Sequence, residues 1–265
     1  MAADPILLFG AGLLGLCLGS FLNVCIVRLP NESPKDRSLF RPPSSCPKCK
    51  HRIAWRDNIP LVSWLVLRGT CRSCGTPISR QYPIVEAVVG LLWIAAVLAY
   101  GPGAQAVRAG VLGTVLLGIA IIDLRHKVIP DELNYGGLVL GLALSLAGGH
   151  GGLIGAVLGA AVGWGVLWVV RVVGAWVLKQ EAMGWGDIKM MAMVGAFVGW
   201  RNVLLTVFLG AIVGTVFYLP LLVADLRRMR RHELPFGVFL AVGAAITFVA
   251  GDGLISWYLQ FVRGS

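Results

Sequence analysis

Residues 6–27 read ILLFGAGLLGLCLGSFLNVCIV, an apolar run without a single charged side chain. About 20 consecutive apolar residues are enough for a helix to cross the hydrocarbon core of a bilayer. The run is too long for the apolar part of a signal peptide and no basic segment precedes it, which favours a transmembrane helix. Similar runs recur along the chain, so the sequence predicts an all-α polytopic membrane protein.

The composition agrees with this fold class. Of the 265 residues, 57% are hydrophobic and 14% are charged, whereas a water-soluble domain has about 25% charged residues. The apolar runs predict eight transmembrane helices, near residues 6–27, 83–100, 106–123, 131–148, 152–176, 187–200, 202–224 and 235–259. The segment between the first two is too long for a simple connection. We therefore expect a first transmembrane helix at 1–27, a small cytosolic domain at 28–82 and a transmembrane domain at 83–265.

The positive charge is concentrated on one predicted side of the membrane. The net charge is +10, and 11 of the 23 Lys and Arg residues lie between Arg28 and Arg80. Short loops rich in Lys and Arg stay in the cytoplasm, and an even number of spans then puts both termini outside. Topology accounts for the basic composition, so we expect the lipid bilayer as a partner and no nucleic acid.

Four cysteines of the predicted cytosolic domain form two C-x-x-C pairs with 21 residues between them: Cys46, Cys49, Cys71 and Cys74. Four thiolates with this spacing suit one tetrahedral Zn²⁺ and leave no open coordination position. Disulfides or redox pairs are the alternative, but thiols in the cytoplasm stay reduced. A domain of about 50 residues has little core, so a structural zinc ion would supply much of its folding free energy.

Two aspartates lie where predicted transmembrane helices meet the cytoplasmic side. Asp123 ends the third apolar run, and Asp187 follows the turn formed by Gly184, Trp185 and Gly186 at the start of the sixth. Ionisable residues at such positions are rare and usually functional. For either residue alone the alternative is an interfacial charge paired with a nearby basic side chain. The two together, at one membrane depth, favour a functional pair.

Two neighbouring carboxyl groups can hydrolyse a peptide bond because they share one proton: one accepts a proton from water while the other donates to the scissile carbonyl. We predict Asp123 and Asp187 as this catalytic pair. Gly184 and Gly186 would form an active-site loop with positive φ angles that approaches a substrate strand. Since Asp187 opens a helix and Asp123 closes one, the helix dipoles suggest that Asp187 is ionised at rest and Asp123 protonated.

Three further acidic residues lie near the predicted site, namely Asp131, Glu132 and Glu181. The first two follow Pro130 at a helix start, where acidic side chains are explained by the helix dipole. Glu181 lies on the loop before Gly184, where solvation alone explains it. The other interpretation is an acidic rim that receives a basic substrate leader.

An ordered series of motifs resembles the type IV prepilin peptidases, the bacterial leader peptidases of type IV pili and type II secretion. The series includes both cysteine pairs and residues 19–24, 28–30, 57–64, 78–83 with Glu86, 122–131 and 184–187. Two positions depart from the family's pattern: Ala182 stands where glycine is common and Gln81 where arginine is common. Both departures concern loop geometry.

The resemblance implies an activity, a location and a cofactor. Family members lie in the bacterial inner membrane and cleave prepilins or pseudopilins after a glycine on the cytoplasmic side, with catalytic aspartates that fall on Asp123 and Asp187. Many then methylate the new N-terminus with S-adenosylmethionine, and the large cysteine loop favours this bifunctional type. No motif identifies the residues that bind the methyl donor.

Two other classes of protein remain as alternatives from the sequence. A proton-coupled transporter could use the same aspartates as relay groups, but transporter sites lie near the bilayer midplane, often between inverted repeats. A non-catalytic membrane scaffold could use the cysteine loop to recruit a partner. That alternative leaves the glycine turn before Asp187 unexplained.

Overall fold

The computed structural model describes residues 4–39, 41–148, 151–181, 183–224 and 235–264. Within these ranges the chain is helical, and its only β-pairing consists of two isolated bridges in the cysteine loop. The helices are α1 Pro5–Arg28, α2 Pro34–Arg37, α3 Val62–Val66, α4 Gln81–Tyr100, α5 Ala104–His126, α6 Asp131–Ser145, α7 Gly152–Leu178, α8 Trp185–Ala224 and α9 Phe236–Arg263. Ala182 and the arginines Arg227, Arg228, Arg230 and Arg231 lie outside the described residues.

The prediction of an all-α polytopic membrane protein is confirmed. Six described helices are long and apolar enough to cross a membrane: α1, α4, α5, α7, α8 and α9. The expected number of about eight is reached when α6, with 15 residues, is added and α8 is counted as two. Helix α8 is interrupted at Gly199, whose φ of 79° and ψ of 168° are not helical. This interruption separates the sixth and seventh predicted spans.

The chain divides into two compact units, Met1–Thr114 and Val115–Ser265. In the first unit α1 packs on α4 through glycines. A Cβ atom on Gly15 would lie 2.8 Å from the Cα atom of Gly90, and one on Gly19 would lie 2.7 Å from the Cα atom of Glu86. Small residues allow such close helix contacts in membranes, where lipid removes the hydrophobic driving force for association.

In the second unit α8 packs on α6, α7 and α9. The contact between α7 and α8 is the tightest, because Cβ atoms on Gly159 and Gly195 would lie 2.1 Å and 2.0 Å from the carbonyl oxygen of the other glycine. On α6, the absence of a side chain at Gly137 and Gly141 leaves room for the side chains of Met193 and Phe197 of α8. These contacts fix the position of the first turn of α8, which carries Asp187.

Replacing Gly159 with alanine is expected to lower the free energy of unfolding by about 1–3 kcal/mol, because the added methyl group must push α7 away from α8. Thermal unfolding of the purified protein in detergent measures this change. Gly165→Ala is the matched control, since the same helix offers open space there, and it should leave the melting temperature unchanged or slightly raised. Equal melting temperatures for both variants would contradict the tight contact.

Candidate active site and metal centre

Asp123 lies in the last turn of α5 and is 5% exposed. Its Oδ2 atom accepts a hydrogen bond of 3.2 Å from the backbone N–H of Val238, in the first turn of α9. Gly237 allows this approach, because a Cβ atom there would lie 2.9 Å from the same oxygen. The carboxyl group is therefore held between the end of one helix and the beginning of another.

Asp187 lies in the first turn of α8 and is half-buried. The backbone N–H groups of Gly184 and of Asp187 itself are directed at its carboxyl group. A Cβ atom on Gly184 would lie only 3.2 Å from Oδ2. The charge of Asp123 contributes to the electrostatic environment of Asp187, so the two predicted residues lie near each other within the second unit.

Ile129 separates the glycine loop from the last helix. A Cβ atom on Gly186 would lie 2.9 Å from the Ile129 Cβ atom, and one on Gly237 would lie 2.8 Å from its Cδ1 atom. The expectation of positive φ angles at Gly184 and Gly186 is wrong, because neither is among the residues with positive φ. Helix α8 already begins at Trp185. Glycine is required at 186 by the close approach of Ile129, not by the backbone angle.

The structure removes the basis for the prediction that Asp187 is ionised at rest and Asp123 protonated. It rested on Asp123 lying at the C-terminal end of its own helix, where the dipole disfavours a carboxylate. The structure also places Asp123 at the N-terminal end of α9, whose Val238 N–H donates to it. Both carboxyl groups thus lie beside a helix N-terminus, and the dipole argument no longer distinguishes them.

Helix α6 holds the glycine loop and the start of α8 through side chains near its N-terminal end. The buried Asn134 donates from its side-chain amide to the carbonyl of Gly186 at 3.3 Å. Lys189 donates to both carboxylate oxygens of Asp131 at 2.8 Å. Lys189 thereby joins α8 to the first turn of α6. In the sequence, the one indication of this role for Asn134 is that it is a polar amide in a largely apolar helix.

Arg171 of α7 holds the other side of the glycine loop. Its guanidinium donates to the carbonyl of Met183, forms a 2.9 Å ion pair with Glu181 and lies over the Trp185 ring at 4.9 Å from the centroid. Glu181 and Asp131 of the hypothetical acidic rim therefore each have a cationic partner. The rim offers less net negative charge than the sequence suggested.

Arg171→Ala is expected to lower kcat for peptide cleavage by about 10–100-fold, because loss of the Met183 and Trp185 contacts lets Asp187 move, and small displacements are costly in catalysis. Steady-state kinetics of the purified variants measure this. Glu181→Gln is the matched control: its side chain is 82% exposed, so its ion pair contributes little and kcat should stay near wild type. Similar losses of kcat in both variants would contradict the role of Arg171 in holding the glycine loop through Met183 and Trp185.

The four cysteines form one cluster in the first unit. One sulfur atom from each of Cys46, Cys49, Cys71 and Cys74 lies within 4.8 Å of all the others. The Cys46 and Cys74 sulfurs are 3.8 Å apart. This distance equals the edge of a tetrahedron with Zn–S bonds of about 2.3 Å. It is too long for a disulfide of about 2.05 Å. The cluster can therefore hold a metal ion.

The environment of the sulfurs favours thiolates at two positions. Backbone N–H groups of Cys49 and Lys48 lower the pKa of Cys46. Hydrogen bonds from the side chain and backbone of Thr76 lower the pKa of Cys74 to about 6. The pKa of Cys49 is raised to about 11: a backbone hydrogen bond from His51 lowers it, but burial and the neighbouring thiols raise it more. A bound dication would lower the pKa of all four cysteines, because cysteine binds metal as the thiolate.

The second cysteine pair is braced by an ion pair. Arg72, between Cys71 and Cys74, donates to both carboxylate oxygens of Asp57 at 2.6–3.2 Å. The hydrogen bonds from Arg72 hold the pKa of Asp57 below its usual value. The pair is thus complete at neutral pH and is lost only as the pH falls through the lowered pKa of Asp57. It ties segment 57–64 to the cysteine cluster.

A multi-pass helical membrane protein with two neighbouring aspartates at helix ends fits the class of membrane-embedded peptidases. Comparison with protein families gives the same class. Residues 110–219 match the type IV leader peptidase family, and residues 13–100 match the bacterial peptidase A24 N-terminal domain. No solved structure matches the chain.

Curated relatives match over nearly the whole chain. The Stutzerimonas stutzeri relative is 38% identical over 99% of this chain and 98% of its own length, and the Pseudomonas aeruginosa relative is 37% identical over 94% and 92%. The Myxococcus xanthus relative is 42% identical over 83% of this chain but 64% of its own length. All three are named prepilin leader peptidase/N-methyltransferase. The chain belongs to the type IV leader peptidase family, and the transporter and scaffold alternatives are not favoured.

Proposed function

We propose that the chain is an aspartyl endopeptidase that removes the leader from type IV prepilins or type II secretion pseudopilins, cutting after a glycine on the cytoplasmic side. It then methylates the new N-terminus with S-adenosylmethionine as donor. The observation that carries the peptidase proposal is the placement of Asp123 and Asp187 near each other at helix ends that both adjoin Ile129. The names of the relatives support both activities.

The mechanism follows from one proton shared by two carboxyl groups. The ionised member of the pair takes a proton from a water molecule, whose oxygen bonds to the scissile carbonyl carbon, and the protonated member donates to the carbonyl oxygen. When the C–N bond breaks, the amine takes the proton of the pair, and one hydroxyl group of the tetrahedral intermediate gives its proton to the other carboxylate, so that the pair again holds one proton. The backbone N–H groups of Val238 and Gly184 orient the two carboxyl groups throughout.

The proposal includes a location and a topology. Six candidate spans and the family suggest a multi-pass protein of the bacterial inner membrane. The Lys and Arg residues of segment 28–82 support a cytosolic cysteine domain inserted after the first span. The same charge rule puts the active site on the cytoplasmic side and both termini outside.

For the cysteine cluster we propose structural zinc. Cys46, Cys49, Cys71 and Cys74 would supply all four ligands, so the ion would tie the two C-x-x-C pairs together without an open position for chemistry. The sulfur-only ligand set and the absence of disulfides among the described cysteines support this assignment.

Purified protein incubated with a purified prepilin and S-adenosylmethionine tests the function. Mass spectrometry should show the free leader, ending in glycine, and a mature chain heavier by one methyl group only when the donor is present. A prepilin with that glycine replaced by a large residue is the control and should stay intact. Cleavage at another bond, or none, would refute the peptidase. Cleavage without methylation would remove the second activity alone.

A further inference from the structure

A cluster of exposed apolar side chains lies in the cysteine domain, away from the four sulfurs that would bind metal. Val62, Leu65 and Val66 of α3 are 52%, 67% and 69% exposed, and Trp55, in the short 3₁₀ helix Trp55–Asp57 that packs against α3, is 82% exposed. Positions i, i+3 and i+4 share one helix side, so Val62, Leu65 and Val66 form one apolar face, and Trp55 lies in the neighbouring element. Contiguous exposed apolar surface of this kind marks an interaction site.

The apolar face is held rigidly from behind. Ser63, on the opposite side of α3, is buried, and its hydroxyl accepts from the N–H of Ile59 at 2.9 Å and donates to the carbonyl of Arg56 at 3.0 Å. Trp64 packs against Gly69, where a Cβ atom would lie 2.9 Å from the indole. The exposure of Val62, Leu65 and Val66 is therefore built into the loop and does not come from a loose segment.

The depth of the apolar face follows from its attachment to α4. The backbone N–H of Leu61 donates to Oε2 of the buried Glu86 at 2.8 Å, and Leu61 has a strained φ of 58° at this contact. Helix α4 has 20 residues, about 30 Å, which equals the hydrocarbon thickness. Glu86 lies about 7.5 Å inside its cytoplasmic end. The loop bound to Glu86 is thereby held close to the cytoplasmic end of α4.

The charges around the apolar face indicate the partner. Arg56 and Arg68 are exposed and flank the face, next to Trp55 and after Val66. The nearby Asp57 is already paired with Arg72. A Trp residue, aliphatic side chains and Arg residues together are typical of elements that lie in the headgroup region and attract anionic lipids.

We propose that α3 and Trp55 insert into the cytoplasmic headgroup layer of the bilayer and fix the cysteine domain on an anionic lipid surface. The membrane contact is separate from the peptide-cleaving residues and does not depend on them. It accounts for two observations together: the exposed apolar face and the flanking arginines.

A nitroxide side chain introduced through an unnatural amino acid at Val66 tests the proposal in the full chain, reconstituted in phosphatidylethanolamine–phosphatidylglycerol vesicles. Collisions with oxygen, which concentrates in lipid, and with a water-soluble nickel chelate are compared by electron paramagnetic resonance. Leu65 is a second labelled position. Lys48, exposed in the first cysteine pair, is the matched control.

The oxygen-to-nickel collision ratio at Val66 and Leu65 should exceed the ratio at Lys48 several-fold. Equal ratios at all three positions would show that the apolar face lies in water and would overturn the proposal. Labels at Val66 and Leu65 that neither reagent reaches would show that protein covers the face, either a second copy or a substrate, and would overturn it equally.

Discussion

Asp123→Asn and Asp187→Asn should each reduce the rate of prepilin cleavage by about 10²–10⁴-fold, the range for loss of a general acid or base. Asparagine keeps the size of the side chain and its contacts but cannot exchange a proton at neutral pH. Because the two carboxyl groups act as one unit, the double variant should be no slower than the slower single variant. Single-turnover cleavage in detergent, followed by mass spectrometry of the leader, measures these rates.

Asp252→Asn is the matched control for the two aspartate variants. Asp252 is a carboxylate of the same unit, in the C-terminal half of α9, where it accepts a hydrogen bond from Asn202 at 2.9 Å. Its replacement should leave the rate within about twofold of wild type, as expected of a group that takes no part in proton transfer. Cleavage at the wild-type rate in either Asp123→Asn or Asp187→Asn would refute the catalytic pair, and multiplicative losses in the double variant would refute the shared proton.

Cys46→Ser should abolish zinc binding and unfold the cysteine domain. Structural zinc in small domains contributes about 10–16 kcal/mol of apparent binding free energy, far more than a domain of this size gains from its core. Zinc content should fall from about one ion per chain to a small fraction of that. Amide hydrogen exchange in segment 44–78 should accelerate by at least about tenfold. Both quantities are measured on the full chain in detergent.

Cys17→Ser is the control for the cysteine variant, since Cys17 lies in α1 and is no member of the cluster. It should retain zinc and normal exchange in segment 44–78. If Cys46→Ser kept its zinc, or lost it while segment 44–78 stayed protected, the structural role of the metal would be contradicted. The second outcome would show that the metal bound by the wild-type protein does not support the fold.

Most of the fold could be predicted because hydropathy acts locally. The spans at 6–27, 83–100, 106–123 and 152–176 correspond to α1, α4, α5 and α7 within a few residues. The interruption near residue 200 was also predicted, although its form, a positive φ at Gly199 inside one long helix, was not. The clustering of the four cysteines was also predictable. Each C-x-x-C turn already holds two sulfurs close together, so only the two turns have to meet.

The site could be predicted only in part. Asp123 and Asp187 stand out because charge is rare in apolar helices, whereas Arg171 and Asn134 act through backbone carbonyls and leave no spacing pattern. The dipole argument for Asp123 used its own helix alone. It failed because the helix that donates to Asp123 begins more than a hundred residues later in the chain.

The sequence alone determined which segments cross the membrane, which residues carry charge at their ends and which four thiols can share a metal, because each follows from composition within a short stretch. Only the tertiary structure decided that Val238 donates to Asp123, that Arg171 and Asn134 hold the loop before Asp187, and that Leu61 donates to the buried Glu86. These contacts join residues distant in sequence. They depend on how glycine-lined helices pack together, which no local pattern specifies.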